Sequence, residues 1–215
     1  MGIGIAEVKK VLYKICDVLK AEKEELTEID SRLGDGDMGI SMDKGSLAVR
    51  AVLDNSQEQK ISKLLSACGA AFNRAAPSTL GTLLSFSLLT VAKNAETKTE
   101  LTEKDLVCIP SIMVDTICSR GKACIGDKTI LDALIPFAET LKGRFEENIP
   151  FPQAWKEAVA AAEKGMESTK GMTAKTGRAK WLDGRNKEYP DGGAVLCVRV
   201  IQGLSEFVCS KEPKK

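Results

Sequence analysis

Apolar residues recur at helical spacing along most of the chain. From Ile5 onward they return every three or four positions on one face, and lysines and an aspartate occupy the other. The same spacing predicts helices at about 5–19, 40–53, 61–72, 79–92, 102–119, 128–145, 153–169 and 193–208. The last segment is rich in valine and would also suit a strand. No regular strand alternation and no repeat of fixed period occurs, so the pattern predicts an all-α bundle of about eight helices.

Four polar, glycine-containing stretches separate these helices, at 27–41, 74–82, 119–129 and 172–193. The second and third directly precede predicted helices, whose first amides can bind anions. The fourth runs for about twenty residues without periodicity, which in a compact domain is typical of a functional loop or of disorder. We therefore expect the chemistry of the protein between its helices.

The charge balance argues against two classes of partner. The 215 residues include 31 Lys and Arg against 30 Asp and Glu, a net charge of +1. A protein that neutralises nucleic-acid phosphates or binds an acidic membrane surface would carry a basic excess. No apolar run reaches the roughly 18 residues of a membrane span, and residues 1–12 are too charged for a signal peptide. We expect one cytoplasmic domain over 1–210 and a short basic tail at 211–215, with no nucleic-acid or membrane partner.

Histidine is absent, which excludes several chemistries within this chain. Ser-His-Asp and Cys-His catalysis and histidine-containing zinc sites all require it. The seven cysteines are odd in number and have no C-x-x-C spacing, which favours buried free thiols over disulfides or a four-cysteine zinc site. They are Cys16, Cys68, Cys108, Cys118, Cys124, Cys197 and Cys209. Chemistry must therefore use carboxylates, lysine, arginine, hydroxyls, thiols, the backbone and bound ions.

The first loop holds three aspartates among glycines: Asp30, Asp35 and Asp37. Its G-x-G-x-x-G pattern is not a dinucleotide fingerprint, because no strand precedes it and the aspartates would repel a pyrophosphate. An EF-hand also fails, since Gly39 and Ser46 stand at the fifth and twelfth ligand positions. Two carboxylates about 4 Å apart repel by roughly 4 kcal/mol at an effective dielectric of about 20, and a divalent cation removes that cost. All-oxygen ligands indicate Mg²⁺ or Mn²⁺ rather than zinc; the alternative is that the aspartates only cap helices and turns.

Taken alone, the other loops have ordinary interpretations. The 74–82 stretch suits a phosphate or ribose contact at a helix start, but also a capped turn. The 119–129 stretch suits a linker in which Asp127 caps a helix that begins at Lys128. The 173–193 stretch is typical of a basic surface loop ending in a turn. No Walker A sequence occurs, which excludes a P-loop kinase.

Together, and in the same order along nearly the whole chain, the four loops resemble those of the nucleotide-binding L subunit of dihydroxyacetone kinases. The metal loop of that family is similar to Ile29-Asp30 with Gly34-Asp35-Gly36-Asp37 here. Its R-G-K/G-A-x-x-G-D-K-T-M-x-D stretch is similar to residues 119–132. Its G-R-A-S-Y-L and D-P-G-A motifs are similar to residues 177–182 and 191–194.

The resemblance implies a barrel of eight antiparallel helices with the nucleotide at its loop end. It implies that Asp30, Asp35 and Asp37 hold two Mg²⁺ ions that bridge the phosphates of ADP or ATP. Such a site suits phosphoryl transfer, which needs positioning and charge neutralisation more than covalent catalysis. The other implied contacts are Met38, Gly39, Ile40, Ser41, Thr79 and Leu80 at the phosphates, Gly121 and Ile130 at the adenine, and Arg178, Asp191, Gly192 and Gly193 closing over the nucleotide. Arg178 is the implied catalytic residue, which stabilises the transferring charge.

The resemblance also implies a partner protein. In the family a separate K subunit binds the ketone substrate through a histidine, and this chain has none. The implied reaction transfers the terminal phosphoryl group to a hydroxyl of a small ketose or triose held by that K-type subunit. In one bacterial form, bound ADP is rephosphorylated in place by a phosphotransferase-system phosphocarrier; in the other, a fused enzyme exchanges ATP. An isolated L subunit favours the first form, and a homodimer is compatible with either.

Two departures from the family pattern fall at the phosphate end. The family's D-x-D-H-G has Met38 in place of the histidine, and the asparagine that follows is Ser41 here. Its G-G-A-S-G-P-L-x-G-T turn corresponds to residues 73–82, with Ala76 in place of the serine. The metal ligands are intact. The alternatives are therefore a divergent paralogue acting on another keto-sugar, and a nucleotide-sensing interaction protein that binds ADP without catalysis.

Overall fold

The computed structural model of the chain describes residues 2–176, 180 and 187–210. These residues form nine helices and one pair of two-residue strands, which confirms the predicted all-α class. The elements are β1 (Gly2–Ile3), α1 (Ile5–Ala21), α2 (Lys23–Leu33), α3 (Met38–Asn55), α4 (Ile61–Ala75), α5 (Thr79–Asn94), β2 (Leu101–Thr102), α6 (Glu103–Gly121), α7 (Leu131–Glu146), α8 (Phe151–Ser168) and α9 (Gly192–Cys209).

Eight of the helices form a closed ring. From α3 to α9 each helix packs on the next, α9 packs on α1, and α1 packs on α3. Two ion pairs give the relative direction of α1 and α9. Lys14, within α1, pairs with Glu206 near the end of α9, whereas Glu22, just after α1, pairs with Arg199 earlier in α9. These two helices are therefore antiparallel, and so are α1 and α3, since Lys9 bonds to Ser56 and Asp17 to Arg50. Short connections favour the same arrangement for most of the other neighbours. The predicted bundle of eight antiparallel helices is confirmed.

α2 is the ninth helix, and the sequence pattern did not predict it. The pattern assigned 27–41 to a loop, which was wrong for the part that α2 occupies. α2 has many charged residues, and among its described apolar side chains Leu26 is buried and Ile29 is half-buried. Such a short apolar stripe gives a weak periodic signal. The helix packs against α3 and α9 at one end of the ring.

The other predicted helix boundaries agree closely with the structure, with one correction at the start of α7. A capping box begins α6, since the Thr102 hydroxyl accepts from the Asp105 amide and the Asp105 carboxylate accepts from the Thr102 amide. The segment at 193–208, which also suited a strand, is the helix α9. The helix predicted from Lys128 begins instead at Leu131.

α9 is long and apolar enough to cross a membrane by length and composition. Half of that window is buried inside the protein, and α9 packs against α1, α2, α7 and α8. These contacts are typical of a core helix in a globular protein.

The interior of the ring is apolar and incompletely filled. Two clusters of buried side chains divide it, and Leu80, Leu84 and Met113 pack against both. A cavity of about 350 Å³ lies within it, lined by residues from most of the ring helices, among them Leu12 and Leu196. The polar groups of the helix junctions lie at the ends of the ring, and a candidate site must be sought there.

Candidate functional site

The four loops singled out by the sequence lie at one end of the ring. Because neighbouring helices are antiparallel, the junctions α2–α3, α4–α5, α6–α7 and α8–α9 share that end. Two close approaches join them: a Cβ added to Gly192 would lie 3.0 Å from Met38 Cε, and one added to Gly193 would lie 3.3 Å from the Ile130 Cβ. The starts of α3, α7 and α9 therefore meet around one mouth of the barrel.

The three aspartates converge at this mouth. Asp30 lies near the end of α2, Asp35 in the turn, and Asp37 immediately before α3. One carboxylate oxygen from each residue lies within 4.8 Å of the others. Gly36 takes a positive φ of 75°, which lets the chain reverse between the two helices. The turn thus brings together carboxylates from both helix ends.

Asp30 also has the capping role that the sequence left open. Its Oδ2 accepts hydrogen bonds from the amides of Asp37 at 2.9 Å and Met38 at 3.1 Å. These bonds satisfy first-turn donors of α3 that have no partner within the helix. The Asp30 side chain can therefore cap α3 and belong to the carboxylate cluster at the same time.

The donor set suits a hard divalent cation. The cluster consists of carboxylates alone, with Asp30 and Asp37 half-buried and Asp35 exposed. Mg²⁺ takes oxygen ligands and usually keeps several waters, so an open cluster of a few carboxylates fits it. The residues present therefore fit the metal that the family resemblance implies.

The first turn of α3 follows the cluster directly and contains Met38, Gly39, Ile40 and Ser41. The Ser41 amide donates to the Asp37 carbonyl at 2.9 Å, whereas the Gly39 and Ile40 amides belong to the first turn and have no acceptor within the helix. Gly39 is buried against α2, because a Cβ there would lie 2.0 Å from the Lys23 carbonyl oxygen. Helix packing therefore requires this glycine, whatever it binds.

Met38, the first departure from the family pattern, contacts the start of α9. Its Sδ and Cε would lie 3.1 and 3.0 Å from a Cβ on Gly192, and the side chain is half-buried. Methionine thus fills the space between α3 and α9 at the mouth.

The start of α5 is a capped turn, as its sequence suggested. Ser78 is the N-cap, and its Oγ accepts from the Gly81 amide at 3.1 Å. Thr79 and Leu80 form the first turn, where their amides have no acceptor within the helix. A Cβ on Gly81 would lie 2.2 Å from the Ala76 carbonyl oxygen, so the tight turn requires glycine there.

The α6–α7 loop begins at Gly121, the last residue of α6, where an added Cβ would lie 3.2 Å from Leu83 Cδ1 on α5. The prediction that Asp127 caps a helix beginning at Lys128 is wrong, because α7 begins at Leu131. Its Oδ2 accepts from the Cys124 amide at 2.9 Å within the loop. The turn before α7 is held instead by buried Asp132.

Asp132 was not singled out by sequence reasoning, although the stretch compared with the family contained it. Its two carboxylate oxygens accept from the amides of Gly126 at 2.6 Å and Thr129 at 2.7 Å. These bonds place Ile130, the N-cap of α7, against Gly193. The missed residue therefore shapes one wall of the mouth.

Asp191, Gly192 and Gly193 form the N-cap and first residues of α9. Asp191 Oδ1 accepts from the Ala194 amide at 2.8 Å, and the Asp191 amide donates to the hydroxyl of fully buried Thr169 at 2.9 Å. Arg178, the implied catalytic residue, lies outside the described residues. Of the implied nucleotide contacts, the structure therefore joins those on α3, α7 and α9, and places those on α5 and α6 at the same end.

Burial, and to a smaller extent the Asp132 carboxylate, raises the pKa of Asp191 to about 7, while the Ala194 N–H and the Lys128 ammonium oppose the shift. An ordinary Asp in an unfolded chain has a pKa of about 4. The native state thus binds this proton more tightly than the unfolded state does. Stability from this group is complete below about pH 4 and is lost as the pH rises to about 7.

We therefore expect Asp191→Asn to flatten the pH dependence of stability between about pH 4 and 7. Asparagine is as good an N-cap as aspartate, so α9 keeps its start. The free energy of unfolding of the wild-type protein should fall across this window by up to about 4 kcal/mol more than that of the variant. Urea unfolding at a series of pH values measures both slopes, and parallel curves would contradict the assignment.

The chain is similar to known proteins over most of its length. Residues 32–206 match the DAK2 domain. Over 205 residues the chain is 29% identical to the PEP-dependent dihydroxyacetone kinase, ADP-binding subunit DhaL, of Escherichia coli (strain K12), covering 95% of this chain and 98% of that protein. It is 31% identical over 204 residues to a D-erythrulose kinase of Mycolicibacterium smegmatis and 27% identical over 210 residues to the triokinase/FMN cyclase of Homo sapiens. These matches cover 92% and 97% of this chain but only 35% and 36% of those proteins, about a third of their length.

The fold is also that of a solved kinase. The native crystal structure of the dihydroxyacetone kinase of C. freundii matches with a TM-score of 0.75 and 20% identity, over 95% of this chain and 35% of that one. The same kinase in complex with AMP-PNP and Mg²⁺ matches with a TM-score of 0.71 over 96% of this chain and 35% of that one. Since the domain match spans most of the ring and includes Asp35 and Asp37 of the cluster, this chain belongs to the DAK2 domain family.

Proposed function

We propose that this chain binds ADP or ATP with Mg²⁺ at the mouth of the barrel and acts as the nucleotide-binding subunit of a dihydroxyacetone-kinase-like phosphotransferase. The observation that carries the proposal is the convergence of three carboxylates within 4.8 Å beside the first turn of α3. The name of the E. coli relative, an ADP-binding subunit, supports the same nucleotide.

Asp30, Asp35 and Asp37 are the proposed ligands of two Mg²⁺ ions, which supply positive charge to the phosphates when bound. The protein contributes the geometry. Two hydrogen bonds from backbone amides hold the Asp30 carboxylate, and Asp37 is held by its position as the residue before α3. A diphosphate near three carboxylates alone would be repelled, so nucleotide binding is proposed to depend on metal.

The nucleotide is proposed to lie across the mouth. The first-turn amides of α3 and α5 contact the phosphates, because helix N-termini attract anions. The adenine lies between α6 and α7, and the start of α9 closes over it with Arg178. The proposed contacts are Met38, Gly39, Ile40, Ser41, Thr79, Leu80, Gly121, Ile130, Arg178, Asp191, Gly192 and Gly193.

The proposed reaction passes the terminal phosphoryl group to a hydroxyl of a small ketose held by a K-type partner that supplies the histidine. No general base is proposed from this chain, whose part is to orient the phosphates and to hold charge near them. Arg178 is proposed to stabilise the transferring group. A phosphotransferase-system phosphocarrier is the proposed donor to bound ADP, in the cytoplasm. The erythrulose kinases among the relatives favour a four-carbon ketose as the second candidate substrate.

Titration calorimetry with ADP tests the proposal directly. We expect binding in the presence of Mg²⁺ and at least about 100-fold weaker binding in EDTA. Addition of a histidine-bearing K-type subunit with dihydroxyacetone or erythrulose should then give phosphoryl transfer. Absence of Mg²⁺-dependent binding would refute the nucleotide site, whereas tight binding without transfer to any ketose would leave a nucleotide-sensing protein.

A further inference from the structure

Lys128 is a buried lysine in the α6–α7 loop, with 2% of its surface exposed. Its backbone has a φ of 61°, in the left-handed region. Burying an ammonium group is costly unless hydrogen bonds or charges compensate, and the positive φ adds a smaller cost. A residue that carries both costs must be held by compensating contacts, which the partners of the Lys128 ammonium provide.

The Lys128 ammonium joins the two flanks of the α8–α9 loop. Nζ donates to the carbonyl oxygen of Tyr189 at 2.8 Å, just before α9, and to that of Met172 at 3.4 Å, just after α8. Burial lowers the pKa of Lys128, and the nearby Asp191 carboxylate opposes this effect. One side chain thus binds the segment that leaves α8 and the segment that enters α9, and its charge interacts with Asp191, the N-cap of α9.

Neighbouring bonds tie the same segments together. The Lys175 amide donates to the Asp127 carbonyl at 3.1 Å, and its ammonium lies 3.2 Å from Asp127 Oδ1. The Gly171 amide donates to the Lys187 carbonyl at 2.7 Å, which pairs the two flanks directly. The exposed ion pair adds little, so the buried Lys128 contacts are the stronger anchor.

The anchored flank also reaches the carboxylate-bearing helix. The guanidinium of Arg32 lies 4.8 Å from the centroid of the Tyr189 ring. Arg32 stands on α2 two residues after Asp30. Tyr189 therefore contacts Lys128 through its carbonyl and Arg32 through its ring, and so connects the α6–α7 loop to α2.

We propose that Lys128 is a positioning residue that clamps both flanks of the α8–α9 loop and thereby sets the place of Asp191, Gly192 and Gly193 at the mouth. It is not a phosphate ligand, because its ammonium is buried and bound to backbone carbonyls. The expected effect of Lys128 on ADP release rests on the proposed function. The expected effect of Lys128 on the two loop flanks applies to the protein without nucleotide and does not rest on that function.

Lys128→Met, compared with Lys122→Met, tests the clamp. Lys122 is exposed, lies in the same loop and also has a positive φ, of 51°, so the control removes the same charge from a similar backbone. In Lys128→Met without nucleotide, amide hydrogen exchange at 172–176 and 187–189 should rise about 10-fold or more relative to α4, and in Lys122→Met it should not. With Mg²⁺ and ADP, the same variant should release ADP about 10-fold faster.

The outcomes separate this inference from the proposed function. Unchanged exchange at both flanks and unchanged ADP release in Lys128→Met overturn the clamp, while the nucleotide site stands. Failure of the wild-type protein to bind ADP refutes the proposed function, and the exchange result still decides the clamp. Should Lys128→Met not fold, exchange in the wild-type protein decides: a shared clamp requires both flanks to open together, and opening rates that differ about 10-fold would overturn it.

Discussion

Asp35→Asn is expected to lower the affinity for ADP in the presence of Mg²⁺ by about 100-fold or more, because it removes one of the three carboxylates proposed to bind the metal. Asp35 is the exposed member of the cluster, whereas Asp30 also caps α3. Its loss should therefore leave the helical ring intact. Without metal, the variant should be as stable as the wild-type protein or slightly more so, since repulsion between carboxylates is relieved. Calorimetric titration with ADP, beside thermal unfolding by circular dichroism, measures both effects.

Glu96→Gln is the matched control for this variant. Glu96 is exposed and follows α5 at the opposite end of the barrel, so its replacement removes one negative charge far from the mouth. Its ADP affinity should equal that of the wild-type protein. If Asp35→Asn also bound ADP normally, Asp35 would have to be removed from the site and the metal ligands reassigned.

Gly39→Ala is expected to destabilise the protein by about 3 kcal/mol or more, at the upper end of the cost of overpacking. The added Cβ would lie 2.0 Å from the Lys23 carbonyl oxygen and 2.3 Å from Thr27 Oγ1. The first of these atoms is backbone, so α2 as a whole must move away from α3. That movement should also separate Asp30 from Asp37 and weaken Mg²⁺-dependent ADP binding. Urea unfolding and calorimetry on the same preparation measure the two losses.

Gly143→Ala provides the contrast. Gly143 lies within α7, and a Cβ added there meets no atom within 4 Å. Alanine in an unobstructed helical position should stabilise the protein by about 0.5–1 kcal/mol. If Gly39→Ala behaved in the same way, the close packing of α2 on α3 would be wrong, and with it the way in which Asp30 is held.

The ring helices were predictable because each buries one apolar face over several turns. The α2 helix was not, because charged residues dominate it and its packing depends on Leu26 and Ile29 meeting helices far along the chain. The N-terminal boundary of α7 was missed for a related reason. Asp127 has the residue type of a cap, but the hydrogen bonds of Asp132 to the Gly126 and Thr129 amides hold an irregular turn before α7, and Lys128 in that turn bonds to the flanks of the α8–α9 loop.

The carboxylate cluster was predictable in composition, and the fold accounts for its convergence. Three aspartates in a glycine-rich turn indicated either a metal site or a set of caps, and Asp30 both caps α3 and lies in the carboxylate cluster. The burial of Lys128 could not be predicted, because a lysine in a polar loop is usually solvated. Its partners are carbonyl oxygens of Met172 and Tyr189, which any residue type would supply, and sequence therefore carries no sign of them.

The ring has a consequence for how the chain reaches its native state. Most helices pack on their neighbours in sequence, so most of the structure can form at low loop-closure entropy. The pairing of α9 with α1 is different, because it joins the two ends of the sequence. At the end of α1, Arg199 of α9 lies 3.4 Å from Glu22, and it also binds Glu25 of the following helix α2 through two hydrogen bonds, at 2.7 and 3.1 Å. The contact that closes the ring of helices thus lies beside the mouth. A chain in which α9 has not yet packed on α1 lacks one wall of the cleft in which a nucleotide would rest.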